Sequence, residues 1–259
     1  MTHCDPEPSS AALPANSPDH PFLAPRGRKK GKTGPQATSR LAELLPTLAL
    51  PQATNRSGLL EQWGADPATA RLVLEIGFGN GHTLATLAAR HPQDRFIGVE
   101  VFLGGVAGLL LRIQQESLTN IRISTQDVQV VLQEAIPPAS LDQVLIHFPD
   151  PWPKRSHHKR RLVQPAFLDL LATRLRPKGQ LRLATDWPHY AQWMLAVLEA
   201  HTAFARPGEP GSFDPEPTDW VTTRFQCKAQ EAGRAVFHLA YTRMDAVFGG
   251  IIPPDPPCQ

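Results

Sequence analysis

The sequence predicts an α/β domain: a mostly parallel sheet with helices on both faces. Three observations carry this. Apolar runs of strand length recur along the chain, segments of helical period stand between them, and the first strand runs straight into glycines. RLVLEIGF (71–78) is the first strand, and Leu84, Leu87 and Ala88 mark a helix after it that Pro92 stops. RFIGVEV (95–101) is the second strand, and GVAGLLLRIQQESL is the second helix. IRIST (121–125), LDQVLIHF (141–148) and GQLRLATD (179–186) continue the strands. DVQVVLQEAI, VQPAFLDLLATRL and YAQWMLAVLEAH supply helices between or after them. WVTTRF (220–225) and AVFHLAYTR (235–243) have no helix between them and are expected to pair as an antiparallel hairpin at a sheet edge.

The folded domain is expected over residues 59–252. Residues 1–58 are rich in Pro, Ser and Ala and are expected to be largely disordered, and 253–259 form a Pro-rich tail. RGRKKGK (26–32) reads either as a solvated tail or as an arm that touches phosphates. Hydrophobic residues make up 41% of the chain, enough for a core, while the formal charge is only +2, so positive charge acts locally. No apolar run is long enough to span a membrane, and MTHCDPEPSS lacks a secretory pattern, so a cytoplasmic protein is expected. Cys4, Cys227 and Cys258 form neither a disulfide framework nor a metal knuckle.

Open α/β sheets bind ligands at the carboxyl ends of their strands. The first such end is EIGFGNG, with Gly77, Gly79 and Gly81 alternating. The dinucleotide fingerprint fails in both registers, because its last glycine falls on His82 or Leu84. No Walker lysine follows either, which argues against nucleoside-triphosphate hydrolysis. Glu75 precedes the glycines and Glu100 ends the second strand, where an acid accepts hydrogen bonds from both hydroxyls of a ribose. A glycine loop flanked by acids suits a cationic nucleoside better than a pyrophosphate. S-adenosyl-L-methionine, with its sulfonium and ammonium, is such a ligand.

HFPDPWPKRSHHKRR (147–161) follows the fourth strand. Pro149, Pro151 and Pro153 stiffen a loop that holds one acid, Asp150, and Lys154, Arg155, Lys159, Arg160 and Arg161 crowd behind it. Trp152 is read as packing beneath the loop in preference to stacking on a base. His157 and His158 lack the spacing of metal ligands, and His82 reads as a helix-surface residue.

The glycine loop, the VEV strand end, the PDPWPK–KRR segment and the later ATDW together resemble the bacterial tRNA (guanine-N7-)-methyltransferase family, over about residues 70–243. The resemblance implies a class I (Rossmann-like) methyltransferase fold with seven strands, S-adenosyl-L-methionine as methyl donor, and a guanine of the tRNA variable loop as acceptor. It assigns Asp150 the central role, at the junction of cofactor and base, and gives Glu75, Glu100 and Asp127 to the cofactor. Asp127 also reads as a helix N-cap, and the two roles are compatible. It gives Lys154, Asp186 and the segment Thr223, Arg224, Phe225 and Gln226 to the substrate. The family carries Glu where this chain has Gln226, which keeps an acceptor and loses the charge. Arg160 and Arg161 are expected to bind RNA phosphates. A methyltransferase of another substrate and a non-catalytic RNA-binding relative also satisfy parts of this pattern. An NAD-dependent reductase is disfavoured by the glycine spacing.

Overall fold

The computed structural model describes residues 34–206 and 208–245. The basic cluster at 26–32 and the expected tail at 253–259 lie outside the described residues.

The sheet has seven strands in the order β3-β2-β1-β4-β5-β7-β6. Strands β1 (Leu72–Ile76), β2 (Arg95–Val99), β3 (Ile121–Ser124), β4 (Leu141–His147) and β5 (Leu175–Thr185) are mutually parallel. β7 (Phe237–Arg243) runs antiparallel to β5, and the two-residue β6 (Phe204–Ala205) pairs antiparallel with β7 at the edge. The antiparallel edge is therefore present, but its last strand is not the expected one. Residues 220–223 are irregular and lead into helix α8 (Arg224–Glu231). The hydroxyl of Thr223 accepts from the Gln226 backbone N–H at 3.0 Å, and Thr-x-x-Gln is the spacing of a helix start. That local cap outweighs the β propensity of Val221, Thr222 and Phe225.

Because the central strands are covered on both faces, alternate residues of each one feed two separate cores. Leu72, Leu74, Val144, Ile146 and Leu183 pack with Leu59 and Leu60 of α2 (Arg56–Gln62), Phe167 and Leu171 of α6 (Pro165–Arg174), and Tyr190 and Met194 of α7 (Pro188–Glu199). Val73, Phe96, Ile121 and Leu145 pack on the other side with Leu84 of α3 (His82–Arg90) and Leu109, Leu110 and Ile113 of α4 (Leu103–Glu116). Glu75 and His147 have the parity of Val73 and Leu145, so they share that second face, one turn of the pleat nearer the strand ends.

The expectation of disorder over 1–58 fails from residue 35 onward. Pro35–Leu44 form α1, and Leu41, Leu44, Leu45 and Leu48 pack on the second core. Arg40 Nε also donates to Gln114 Oε1 of α4 at 3.0 Å. Those leucines have helical spacing, and Pro35 sits in the first turn, where its missing N–H costs nothing. α2 likewise begins before residue 59, capped by Asn55, whose side chain accepts from Gly58 N at 2.9 Å.

Candidate active site

The sheet reverses direction of travel between β1 and β4, with β2 and β3 on one side and β5 on the other. A crevice opens at the carboxyl ends of strands at such a point. Every acid singled out in the sequence lies at one of these ends.

After β1, Gly77, Gly79 and Gly81 all have positive φ, at 72°, 56° and 72°. A Cβ at Gly77 or Gly79 would meet nothing within 4 Å, so bare backbone faces open space there. Gly81, by contrast, is pinned: a Cβ would collide with Leu109 of α4. The loop is thus seated on α4 while its tip stays accessible to a ligand.

Glu100, one residue past β2, turns back on this loop. It accepts from Gly79 N at 3.0 Å and from Phe102 N at 2.8 Å. Burial pushes its carboxyl above the usual range; the two backbone donors oppose this, and the nearby Asp150 adds to it. Asp127 caps the short α5 (Val128–Val130), accepting from Gln129 N at 2.7 Å, so its capping role is realised at the end of β3.

Asp150 is exposed, on a loop flanked by two non-glycine residues in the left-handed region: Phe148 at φ 50° and Trp152 at φ 44°. Each such residue costs on the order of 1–2 kcal/mol. Strain held on both sides of one acid marks a loop shaped for that acid. The loop is anchored at both ends. Phe148 N donates to Ala184 O at 2.7 Å, and Arg161 Nε donates to Pro151 O at 2.9 Å. Trp152 is half-buried, edge-on to His157 at 5.8 Å, with the Arg160 guanidinium 5.1 Å from its ring centre. It packs within the loop, as expected.

The cationic segment divides. Lys154, Arg155 and Lys159 are exposed and Arg160 is half-buried, while Arg161 is only 2% exposed. Its side chain lies over Tyr190 at 4.9 Å and meets His189 Nδ1 at 3.1 Å, and burial lowers its pKa. The expectation that Arg161 binds phosphate is corrected by this: it is an internal strut of the Asp150 loop. Chain position alone does not separate it from Arg160.

On the opposite wall, Asp186 follows β5 and accepts from Arg234 Nε at 2.9 Å. α8 points Phe225 outward at 53% exposure, stacked at 6.1 Å on Phe148, with Arg224 exposed beside it. Gln226 is turned inward and is 1% exposed, so it does not line an open substrate surface with Phe225. Its Oε1 accepts from Trp220 Nε1, and its Nε2 donates to Glu216 Oε2 at 2.5 Å.

A buried group missed in the sequence lies behind these residues. His147, Ala184 and His238 stand side by side across β4, β5 and β7. The Trp220 ring meets both imidazoles edge-on, at 4.6 and 4.7 Å. His147 Nδ1 is 3.4 Å from Glu75 Oε1, and His238 Nε2 is 3.7 Å from Glu216 Oε2. The Glu75 and His147 side chains are 3% and 6% exposed, and Glu75 Oε2 and both His147 nitrogens have no hydrogen-bond partner. The period-two parity of Glu75 and His147 was the signal that would have found this contact. Among the described residues, no group of three or more His, Cys, Asp and Glu is arranged to hold a metal ion, and no helix is long and apolar enough to cross a membrane.

Comparison with known proteins identifies the family. Residues 69–239 match the family model described as "Putative methyltransferase". The chain is 50% identical to the tRNA (guanine-N(7)-)-methyltransferase of Magnetococcus marinus over 84% of this chain and 86% of that one. It is 38% identical to the protein of the same name from Chromohalobacter salexigens, over 92% and 98%. Among solved structures, the 16S rRNA methyltransferase KamB superposes with a TM-score of 0.53 at 13% identity, over 76% of this chain and 99% of that one, a likeness of fold. With the seven-stranded sheet, the glycine loop and the Asp150 loop in their expected places, the chain belongs to the tRNA (guanine-N(7)-)-methyltransferase family.

Proposed function

We propose that the protein transfers the methyl group of S-adenosyl-L-methionine to N7 of a guanine in the variable loop of tRNA, in the cytoplasm. The observation that carries the reading is the set of acids at the strand ends around the glycine loop. Glu75 is buried just before that loop, Glu100 accepts from its Gly79 N–H, the loop keeps an open face, and Asp150 is exposed on the strained loop after β4. An acid-rich crevice of this kind favours a cationic ligand and a base that becomes cationic. The residues also fit the methyl donor on a second count: Glu75 offers a buried carboxylate oxygen without a partner, which suits an ammonium group.

The donor supplies an electrophilic methyl on sulfur. The N7 lone pair of guanine takes the methyl as the carbon–sulfur bond breaks, so the purine gains the positive charge that sulfur loses. No proton leaves N7, and no general base is needed. The protein's work is positioning and charge placement. Glu75 holds the ammonium, Glu100 the ribose hydroxyls, and Asp127 the adenine end. The backbone of Gly77 and Gly79 lets the donor approach, while Gly81 seats the loop on α4. Asp150 accepts from the guanine N1–H and exocyclic amine and favours the charge that develops on the ring. Phe225, stacked on Phe148, offers a face against which a splayed base rests, with Arg224 beside it and Asp186 across the crevice; the expectation that Thr223 touches substrate is corrected, because it is buried and its hydroxyl caps α8. Lys154 and Arg160, with Arg155 and Lys159, hold the RNA backbone.

The test is direct. Purified protein, radiolabelled S-adenosylmethionine and unmodified tRNA are incubated, and the RNA is digested. Label in 7-methylguanosine is the expected result. Label on another base, or on protein alone, overturns the assignment.

A further inference from the structure

The polar atoms at the end of β4 have no role in the account above. His147 is buried between Glu75 and Trp220, and neither of its ring nitrogens makes a hydrogen bond. Burying a polar ring without partners is costly, by roughly 1–3 kcal/mol for each unsatisfied group. Such a residue is expected where a bound ligand completes the site.

The geometry points to His147 as the positioning residue for Glu75, setting that carboxylate to receive the ammonium group of the methyl donor. This rests on the assignment of Glu75 made above. Three features support it. First, Nδ1 of His147 stands 3.4 Å from Glu75 Oε1, a short slide from a hydrogen bond, while Oε2 is buried and has no partner. A hydrogen bond closed by that slide would tether Oε1, stop the carboxylate rotating about its last bond, and give Oε2 one fixed direction. Second, both residues leave neighbouring strands on one sheet face, at Glu75↔Leu145 and two residues further along β4, so the backbone fixes their separation. Third, His147 itself is held. The Trp220 ring packs 4.6 Å from the imidazole, and the indole N–H is tied to Gln226, whose amide is tied to Glu216 at 2.5 Å. A chain of contacts from α8 thus ends on the Glu75 carboxylate. His147 touches no reacting atom in this arrangement and acts through Glu75.

The experiment compares two ligands that differ in the part Glu75 would address. S-adenosylhomocysteine carries the amino-acid end, and methylthioadenosine lacks it. Titration calorimetry on wild type, Glu75→Gln, His147→Phe and His147→Asn gives the affinities. His147→Phe should lose about tenfold in affinity for S-adenosylhomocysteine, the scale of one hydrogen bond to a charged group, and stay within about twofold for methylthioadenosine. His147→Asn, which keeps an N–H donor, should recover most of the loss. In turnover, His147→Phe should raise KM for the methyl donor more than it lowers kcat. Unchanged methylthioadenosine binding shows that the variant is folded. If His147→Phe keeps the wild-type preference while Glu75→Gln loses it, the positioning role is wrong. If wild type shows no preference between the two ligands, the assignment of Glu75 to the ammonium falls first. Equal loss for both ligands in His147→Phe makes the residue a structural part of the fold and overturns the inference.

Discussion

Gln226 and Glu216 form a matched pair: the amide of Gln226 donates to the Glu216 carboxylate at 2.5 Å while its carbonyl accepts from Trp220. An amide is the side chain that satisfies both neighbours at once, since Trp220 only donates and ionised Glu216 only accepts. The neutral residue at 226, read from the sequence as a lost charge, thus sits directly against a carboxylate at 216.

Gln226→Glu should therefore be destabilising, because a second acid replaces the donor that Glu216 uses. The loss of one hydrogen bond to a charged group plus the new repulsion is worth about 2–3 kcal/mol. In a domain of this size that lowers Tm by roughly 4–12 °C. The double variant Gln226→Glu with Glu216→Gln reverses donor and acceptor and should recover most of the loss. Thermal unfolding of the two single variants and the double checks this. Additive losses would show that the pair is not coupled.

The cationic segment should separate into two phenotypes. Lys154→Ala with Arg160→Ala removes one exposed and one half-buried charge, so tRNA affinity should fall and its dependence on salt flatten by about one unit of slope per residue. Arg161→Met removes the strut to Pro151 and the contact with Tyr190, so Tm and turnover should fall while the salt slope stays put. Affinity measured over a salt series distinguishes the two. A flattened slope in Arg161→Met would return that residue to the RNA surface.

The strands and most helices were legible because their apolar periods are long and unambiguous, and the strand ends then placed Glu75, Glu100, Asp127, Asp150 and Asp186 at the carboxyl ends of the five parallel strands. Three parts were not. Arg161 shares its composition with four cationic neighbours, three exposed and one half-buried, and only the packing of Tyr190 beneath the loop decides its burial. The leucines of α1 sit in a Pro-rich stretch, and their value depends on a partner, α4, some 60 residues away. The histidine row depends on strand order: His147 and His238 are separated in sequence but flank one alanine, because β7 inserts beside β5.

Glu100 should show a trade between stability and binding. Its carboxyl is held above the usual range chiefly by burial. A raised acid pKa contributes stability that is full below the unfolded value and lost as pH rises through the folded value. Near neutral pH the ionised Glu100 therefore weighs against folding. Glu100→Gln should gain Tm relative to wild type as pH rises from about 4 to about 7. It should also bind S-adenosylhomocysteine more weakly, since one acceptor for the ribose hydroxyls is gone. Melting curves across that pH range check the sign. A Tm difference that falls with rising pH would contradict it.

Asp150→Asn tests charge with shape held constant. The loop that presents the residue is fixed by Phe148 N to Ala184 O and by Arg161 to Pro151 O, neither of which involves the Asp150 side chain. The variant should therefore fold normally. Turnover should drop about a hundredfold, the scale of removing one preorganised electrostatic contact to a developing charge. S-adenosylhomocysteine affinity should change far less, because Glu75, Glu100 and Asp127 remain. There is also an internal reporter. Asp150 makes the smallest contribution to the raised pKa of Glu100, so neutralising it should lower the Glu100 carboxyl slightly while burial still holds it above the usual range. Carboxyl-carbon NMR titration of Glu100 in wild type and variant measures this directly. An unmoved Glu100 would mean that the two acids do not share the crevice, and a loss of ligand affinity as large as the loss of turnover would make Asp150 a cofactor residue with no separate role toward guanine.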